Sequence, residues 1–302
     1  MNRAWLWALI VSIVLIAPLR ADGQAGSEVS ADRATLESRL MDTDILYHMD
    51  TQAVRDIFQQ GQTLGRRADV FTKVGDSNTT SGDFLRPMGD SQRNCTLGSY
   101  DYLQPTIDTF SASYNDGLSN SFTHNSVAAQ KGLSSSAALD PMWAGGMCKA
   151  DESPVMCEYR TMQPSIAIIM LGLMDTRYKT EVDLYRANLE QVVQDSINQG
   201  VIPVLTTLIV LPDQQTLSYD LSLEYNAVMV DLSDSYQIPL INLWRAVQTL
   251  PNFGIGPDRT HLKHQIGSFC DFTGAEQTVG GTLRNLLTLE ALDAIRQNRG
   301  AG

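Results

Sequence analysis

Short apolar runs alternate with longer amphipathic segments along most of the chain. The runs are continuous and rich in β-branched residues, which is typical of strands buried on both faces of a parallel sheet. Predicted strands cover residues 69–74, 121–128, 165–171, 201–210 and 238–243. Predicted helices cover residues 34–64, 100–110, 181–199, 219–236 and 275–297. The alternation predicts an α/β protein with a five-stranded parallel sheet, right-handed crossovers and helices on both faces.

The N-terminus has a different pattern. Asn2 and Arg3 precede an apolar run over residues 4–19, and small residues follow it. The run is short for a membrane-spanning helix, which needs about 20 residues, and is typical of a secretory signal. We predict a signal peptide over residues 1–25, a loose leader over 26–40 and one domain over 41–298. The protein is then secreted, with no stable membrane association after cleavage. The alternative is membrane anchoring through an uncleaved N-terminal helix.

In an exported chain, the cysteines are expected to form disulfides. Cys95, Cys148, Cys157 and Cys270 are even in number, which in an exported chain favours two disulfides with three possible pairings. The short spacing between Cys148 and Cys157 favours a local bridge, which leaves Cys95 to pair with Cys270. The alternative is that all four are free thiols. The spacings contain no Cys-x-x-Cys, so we predict no zinc site.

The acidic balance of the chain bears on its partners. The 302 residues carry a formal net charge of -12, and 43% of them are hydrophobic, as in a globular protein. An acidic surface repels phosphate backbones, so nucleic acid is not expected as a partner. The turns also lack the Gly-x-x-x-x-Gly-Lys and Gly-x-Gly-x-x-Gly patterns of nucleotide-binding loops.

Candidate chemistry lies where predicted strands end. The stretch Gly75-Asp76-Ser77-Asn78 follows the first predicted strand, Gly132 follows the second, and residues 172–175 follow the third. Asp258-Arg259-Thr260-His261 lies on a late loop. The carboxyl ends of parallel strands share one edge of a sheet, so we expect these groups to converge. The alternative for Gly-Asp-Ser-Asn is an ordinary turn, since all four residues suit turns.

Together these residues supply what acyl transfer requires. The Ser77 hydroxyl is a poor nucleophile alone and needs an adjacent base. An aspartate stands three residues before His261, so we predict His261 as the base and Asp258 as the group that orients its ring. The backbone N–H groups of Ser77 and Gly132 are predicted to receive the developing oxyanion, each worth about 3 kcal/mol.

Three of these positions have alternatives. His264 lies three residues after His261 and is the alternative base, although no acid stands three residues before it. His124, near the end of the second predicted strand, is expected to be a structural histidine or to line the pocket. Gly132 is alternatively an ordinary glycine at the start of a helix.

The same blocks resemble those of the GDSL esterase/lipase family, also called SGNH hydrolases. The resemblance runs in order over residues 69–261, from Gly-Asp-Ser at 75–77 through Gly132 and residues 172–175 to Asp-x-x-His at 258–261. It implies a three-layer α/β/α sandwich resembling flavodoxin, with a hydrolase-like domain over residues 41–298. It also implies a secreted serine esterase that needs neither a metal nor an organic cofactor. The implied substrates are small-molecule or carbohydrate esters, or lipid esters.

One position departs from the family pattern. The third block of the family is Gly-x-Asn-Asp, and its asparagine donates to the oxyanion, whereas Met174 stands there in this chain. A thioether has no N–H to donate. Asn78, beside the nucleophile, is a candidate substitute, and Asn78, Met174 and Asp175 are possible substrate-binding residues. Asp175 is otherwise read as structural. Because of Met174, the alternative function is a non-catalytic ligand-binding protein on the same scaffold.

Overall fold

A five-stranded, mostly parallel sheet carries the fold in a computed structural model that describes residues 32–90, 95–112 and 119–299. The strands are β1 (Leu46–Tyr47), β2 (Arg67–Gly75), β3 (Pro164–Met170), β4 (Ile202–Thr206) and β5 (Leu240–Ile241). The α-helices of these ranges are α1 (Arg33–Asp42), α2 (Gln52–Thr63), α3 (Gln104–Phe110), α4 (Pro154–Met162), α5 (Leu173–Tyr178), α6 (Val182–Asn198), α7 (Tyr219–Tyr236), α8 (Leu243–Ala246) and α9 (Gly280–Asn298).

The strand order is β1-β5-β4-β3-β2, and every neighbouring pair is parallel except β1 and β5. Helix α7 packs against α1, α5 and α6, whereas α3 packs against α9, so helices form layers against the sheet. Gly75 at the end of β2 pairs with Met170 at the end of β3. The turns that follow these two strands therefore share one edge of the sheet.

The predicted strand over residues 121–128 is wrong. The Asn120 side chain accepts hydrogen bonds from the backbone N–H groups of Phe122 and Thr123 and bends the chain into turns. Phe122 is still fully buried, which explains the apolar pattern without a ladder. Directly after this segment, Ala129 forms an isolated parallel bridge to Gly75. The chain thus passes beside β2, where the second strand of a flavodoxin-like order would lie.

The sheet still has five strands, because β1 takes the place of the strand expected over residues 121–128. Strand β1 pairs antiparallel with β5 at the opposite edge of the sheet. The sheet is therefore not parallel throughout. This short strand divides the long predicted helix over residues 34–64 into α1 and α2. Residues 33–40 belong to α1, as the helical pattern from residue 34 predicts and the loose leader over residues 26–40 does not, because Leu36 and Leu40 are spaced for one helix face and both are buried. The predicted signal peptide lies outside the described residues.

The segment over residues 142–161, which contains no predicted strand or helix, also holds most of a helix, α4. Ser153 caps α4 by accepting a hydrogen bond from Met156 N, and Pro154 occupies the first turn, where its missing N–H costs nothing. Within the described ranges, we find no helix that is both long and apolar enough to cross a membrane.

Both disulfides favoured by the cysteine spacing are formed. Cys148–Cys157 ties the loop before α4 to the helix itself. Cys95–Cys270 joins the segment before α3 to the chain that follows His261, and a backbone hydrogen bond from Thr96 N to Cys270 O runs beside it. The second bridge therefore holds the late loop against the body of the domain.

Candidate active site

The turn that contains Ser77 begins where β2 ends. A Cβ on Gly75 would lie 2.5 Å from Met170 O, so this close approach of two strands requires glycine. The backbone carbonyl of Asp76 then accepts hydrogen bonds from Thr79 N and Thr80 N, and its Oδ1 accepts one from Asn78 N at 3.0 Å. This tight turn presents Ser77, which is half-buried, above the sheet edge.

The histidine loop is a second turn, closed at its base by an antiparallel bridge between Ile255 and Leu262. Asp258 Oδ1 accepts hydrogen bonds from Thr260 N at 3.1 Å and from His261 N at 3.0 Å. These bonds fold the aspartate back over the histidine that follows it. Partial burial raises the pKa of Asp258, but the hydrogen bonds outweigh it, so the pKa lies below its ordinary value.

The two turns meet. His261 Nε2 lies 2.8 Å from Ser77 Oγ, and His261 Nδ1 lies 2.6 Å from Asp258 Oδ2. These contacts assign the proton to Nδ1, where it is donated to the carboxylate, and leave Nε2 to accept the serine proton. His264 Nδ1 instead lies 3.3 Å from Asp83 Oδ2. The histidine beside the serine is therefore His261.

Asn78 and Arg284 join the two turns to the core. Asn78 Oδ1 accepts a hydrogen bond from Leu262 N at 3.2 Å, directly after His261. The guanidinium of Arg284, on α9, donates to Asn78 O at 2.9 Å and to Thr79 Oγ1 at 3.2 Å. Burial lowers the pKa of Arg284 to about 9, although Asp76 opposes that shift. The sequence pattern does not single out Arg284, because it sits within an ordinary helical stretch.

Asp76 is a second buried charged group behind Ser77. Its side chain is 1% exposed, and its Oδ2 has no hydrogen-bond partner in the described part of the chain. Burial raises the pKa of Asp76 to about 6, while the Asn78 N–H and the charge of Arg284 oppose the rise. A buried carboxyl group with a raised pKa thus lies directly before Ser77.

Gly132 lies on a third turn with φ +86, a conformation that favours glycine. Among the described residues, neither Ser77 N nor Gly132 N donates a hydrogen bond to a protein acceptor. Both backbone donors are therefore available to a ligand. This φ favours glycine at position 132 whether or not its N–H binds a ligand.

On the turn after β3, Met174 stands where the family pattern has asparagine, so this position carries no side-chain donor. Met174 is half-buried at the start of α5. Asp175 is buried and accepts hydrogen bonds from Ser135 N at 2.9 Å and Ser135 Oγ at 2.6 Å, which ties this turn to the Gly132 turn. The side-chain oxygens of Asn78 and Asp175 thus both accept hydrogen bonds from the protein. This is the behaviour expected of residues that position the site.

His124 is mainly a structural histidine. Its Nε2 lies 3.1 Å from Glu158 Oε1, and the Glu158 carboxylate also accepts hydrogen bonds from Thr72 Oγ1 and Val127 N. Within the described residues, no group of three or more His, Cys, Asp and Glu side chains is arranged to hold a metal ion.

No family model matches the chain, and none of the curated proteins does. Solved structures do match it. A GDSL-like lipase from Bacteroides thetaiotaomicron is 12% identical, with 80% of this chain and 97% of that one covered and a TM-score of 0.45. An acetylxylan esterase from Geobacillus stearothermophilus is 15% identical, with 74% and 93% covered and a TM-score of 0.44. A psychrotrophic esterase from Pseudoalteromonas sp. is 15% identical, with 74% and 97% covered and a TM-score of 0.42. These likenesses concern the fold alone, and no role of a residue in this chain rests on them.

Proposed function

We propose that the protein is a serine ester hydrolase that works through an acyl-enzyme. One observation carries this proposal: Ser77, His261 and Asp258 form an unbroken line of contacts at 2.8 and 2.6 Å. A hydroxyl, an imidazole and a carboxylate in that order are the parts of a nucleophile, its base and the group that orients the base.

In the first half of the reaction, Ser77 Oγ attacks the ester carbonyl while its proton passes to His261 Nε2. The imidazolium that results is stabilised by the Asp258 carboxylate. When the tetrahedral intermediate collapses, the bond to the alcohol oxygen breaks and His261 returns the proton to that oxygen. The alcohol leaves, and the acyl group remains on Ser77.

In the second half, water takes the place of the alcohol. His261 Nε2 accepts a proton from the water as its oxygen attacks the acyl carbonyl, and then gives that proton to Ser77 Oγ as the ester bond breaks. The acid leaves and the serine is restored. The partial exposure of His261 supports this step, because it gives water a route to Nε2.

The oxyanion of each intermediate is assigned to Ser77 N and Gly132 N. Met174 offers no third donor, and loss of one donor lowers the rate by about 10²–10³ in a well-studied serine hydrolase. We therefore expect a slower enzyme than one with the full set of donors. Asn78 follows Ser77 directly in the chain, and because its Oδ1 accepts from Leu262 N, its Nδ2 is the atom left to donate.

The first choice of substrate is the ester of a small molecule or a carbohydrate. Trp143 is 38% exposed, and its ring comes within 3.9 Å of the place where a Cβ on Gly132 would stand. A partly exposed indole near a proposed oxyanion donor suits stacking on a sugar ring or contact with a short acyl chain. A panel of acetylated sugars and of p-nitrophenyl esters with increasing acyl length tests this choice, and Trp143→Ala should raise KM more than it lowers kcat.

The reaction itself is tested by labelling with a fluorophosphonate probe, which reacts only with an activated serine. The wild-type protein should be labelled, and Ser77→Ala should not. Ser81→Ala is a matched control, because that serine lies a few residues along the chain and outside the triad. Equal labelling of the wild type and Ser77→Ala would remove the basis for the proposal.

A non-catalytic ligand-binding protein is the second candidate, and Met174 is the observation that favours it. On this reading the wild type retains ligands without turnover, and Met174→Asn, which restores a donor, raises hydrolysis of p-nitrophenyl acetate from near zero. Turnover by the wild type that depends on Ser77 would exclude this second reading.

We also propose that the protein is exported. The two disulfides support this, since such bonds persist in oxidising compartments. N-terminal sequencing of the protein recovered from the medium should show cleavage near residue 25, the predicted end of the signal peptide. Retention of an intact N-terminus in the membrane fraction would support the anchored alternative.

A further inference from the structure

A small cavity lies beside the nucleophile turn but outside the triad. Its volume is about 210 Å³, which is less than a drug-sized ligand needs and enough for a small group. Its wall includes Thr79 and Thr80, two and three residues after Ser77, and also Lys73, Arg86, His124 and Ser126.

The charge of this wall is unusual for such an acidic protein. Lys73 and Arg86 both line the cavity, and no carboxylate among the described residues does. The larger hollow, about 660 Å³ between α1, β1 and α7, has a wall of mixed charge, because acidic residues line it together with Arg39. The charge of Arg39 is also paired, with Asp231 at 2.5 Å. In a chain with net charge -12, the smaller cavity is a concentrated positive site.

Lys73 is the buried part of this site. It is 5% exposed, and its ammonium donates to Phe122 O at 2.9 Å. An ammonium has three hydrogens, and within the described residues the other two have no protein acceptor. A buried charge with unfilled donors is costly unless an anion or another acceptor reaches it.

The charged groups around Lys73 do not remove this cost. Burial, together with the charges of Arg86 and Arg284, lowers the pKa of Lys73 to about 7, and Glu158 opposes this shift. Glu158 already accepts hydrogen bonds from Thr72 Oγ1 and Val127 N and contacts His124. A bound anion would favour the protonated lysine and use its free donors.

We propose that this cavity binds a small oxyanion group, a carboxylate or a phosphate, between Lys73 and Arg86. Ser126 Oγ accepts a hydrogen bond from Ala128 N, so its hydroxyl hydrogen can serve as a further donor to the anion. Arg86 donates to Asn125 Oδ1 at 3.0 Å, which holds its guanidinium at the rim, and a guanidinium suits the two oxygens of such a group. The site goes beyond ester hydrolysis, and binding there requires no turnover.

The position of the cavity links it to the nucleophile. Thr79 lines the cavity and also accepts the hydrogen bond from Arg284, which holds the Ser77 turn. The anion has two sources with the same chemistry: an acidic group carried by the substrate, or a free anion that fixes the turn.

Calorimetric titration of the mature wild-type protein with inorganic phosphate tests the site, at constant ionic strength and about pH 6, where Lys73 is protonated. We expect saturable binding of one phosphate per chain. Lys73→Met and Arg86→Gln should each weaken it by about tenfold or more, since each removes a charged donor. Arg86 is exposed, so its variant keeps the test valid even if Lys73→Met fails to fold.

Lys149→Met and Arg55→Gln are matched controls, because both side chains are charged and lie outside the cavity wall. They should leave phosphate binding unchanged. The absence of saturable binding to the wild type, or equal weakening in cavity and control variants, would overturn the proposal and leave Lys73 a structural residue.

Two esters distinguish the sources. If the anion belongs to the substrate, phosphate should compete with the p-nitrophenyl half-ester of a dicarboxylic acid and not with neutral p-nitrophenyl acetate. If a free anion is the ligand, phosphate should change both hydrolysis rates by the same factor. Since the titration does not depend on activity, failure of the hydrolase proposal and failure of this one give separate results.

Discussion

The two turns that meet at Ser77 and His261 are supported in opposite ways. Behind the serine, Asp76 and Arg284 are each 1% exposed, and Arg284 binds the turn from α9. In the histidine loop, the side chains of Asp258 and His261 are 53% and 38% exposed. There, charged contacts such as Arg259 with Asp213 at 2.6 Å lie at the surface.

This difference in burial predicts different effects of substitution on stability and on rate in the two turns. A buried charged group that loses its partner costs several kcal/mol, whereas a surface ion pair contributes about 0–1 kcal/mol. We therefore expect substitutions in the histidine loop to change the rate and leave unfolding almost unaffected. Substitutions behind the serine should change the free energy of unfolding as well as the rate.

The largest expected effect is that of His261→Ala on hydrolysis. Removal of the base should lower kcat by about 10⁶-fold, because residues of a triad act as a unit. The unfolding midpoint should stay close to that of the wild type, since the side chain is partly exposed. His264→Ala is the matched control and should stay within a few-fold of wild-type kcat. A large loss in His264→Ala alone would move the base to that residue.

The next effect is that of Asp258→Asn. The amide oxygen can still accept from the backbone N–H groups of Thr260 and His261, so the loop should keep its shape. The amide nitrogen would face His261 Nδ1 and favour the wrong tautomer, and kcat should fall by about 10⁴-fold. Asp213→Asn, in the same exposed region, should have no comparable effect. Equal kinetics in the two variants would contradict the orienting role.

The third effect is on stability. Arg284→Met removes a buried cation and leaves Asp76, Asn78 O and Thr79 Oγ1 without it, so the free energy of unfolding should fall by about 3–5 kcal/mol. Denaturant unfolding at fixed pH measures this loss.

The matched control for this loss is Arg259→Met in the histidine loop, which should cost less than about 1 kcal/mol because its ion pair is exposed. If both variants lost the same stability, the contrast between the two turns would be wrong.

The sequence predicts the centre of the sheet better than its edges. The strand over residues 165–171 can be predicted because β3 is buried along its whole length, so its apolar run is continuous. The two-residue β1 leaves no such pattern, since its pairing with β5 is a tertiary contact. Residues 121–128 carry a misleading pattern, because Phe122 is buried in turns that Asn120 stabilises.

The same limit applies to the site. Ser77, Asp258 and His261 are predictable because their spacing follows from local turns at strand ends. Arg284 is not, because an arginine in a helical stretch normally lies in solvent, and only the packing of α9 turns it into the core. Lys73 carries a weak signal, since it is the one basic residue inside the apolar strand over residues 69–74.

The smallest effect concerns the pH dependence that Asp76 imposes on the buried turn. Its pKa rises from 3.8 to about 6 on folding, so the folded protein holds this proton more tightly than the unfolded chain does. The stability that Asp76 contributes is therefore complete below about pH 4 and is lost as the pH rises through about 6, a change on the order of 3 kcal/mol.

Asp76→Asn keeps an oxygen that can accept from Asn78 N and removes the titration. Urea unfolding of both proteins at several pH values should show the wild type losing stability relative to Asp76→Asn between about pH 4 and 7. Asp258→Asn, on the exposed side, should show the opposite slope at acid pH, because the pKa of Asp258 is lowered and its stabilisation is lost as the pH falls. A stability difference between wild type and Asp76→Asn that did not vary with pH would mean that this carboxyl is no more buried in solution than the one in the histidine loop.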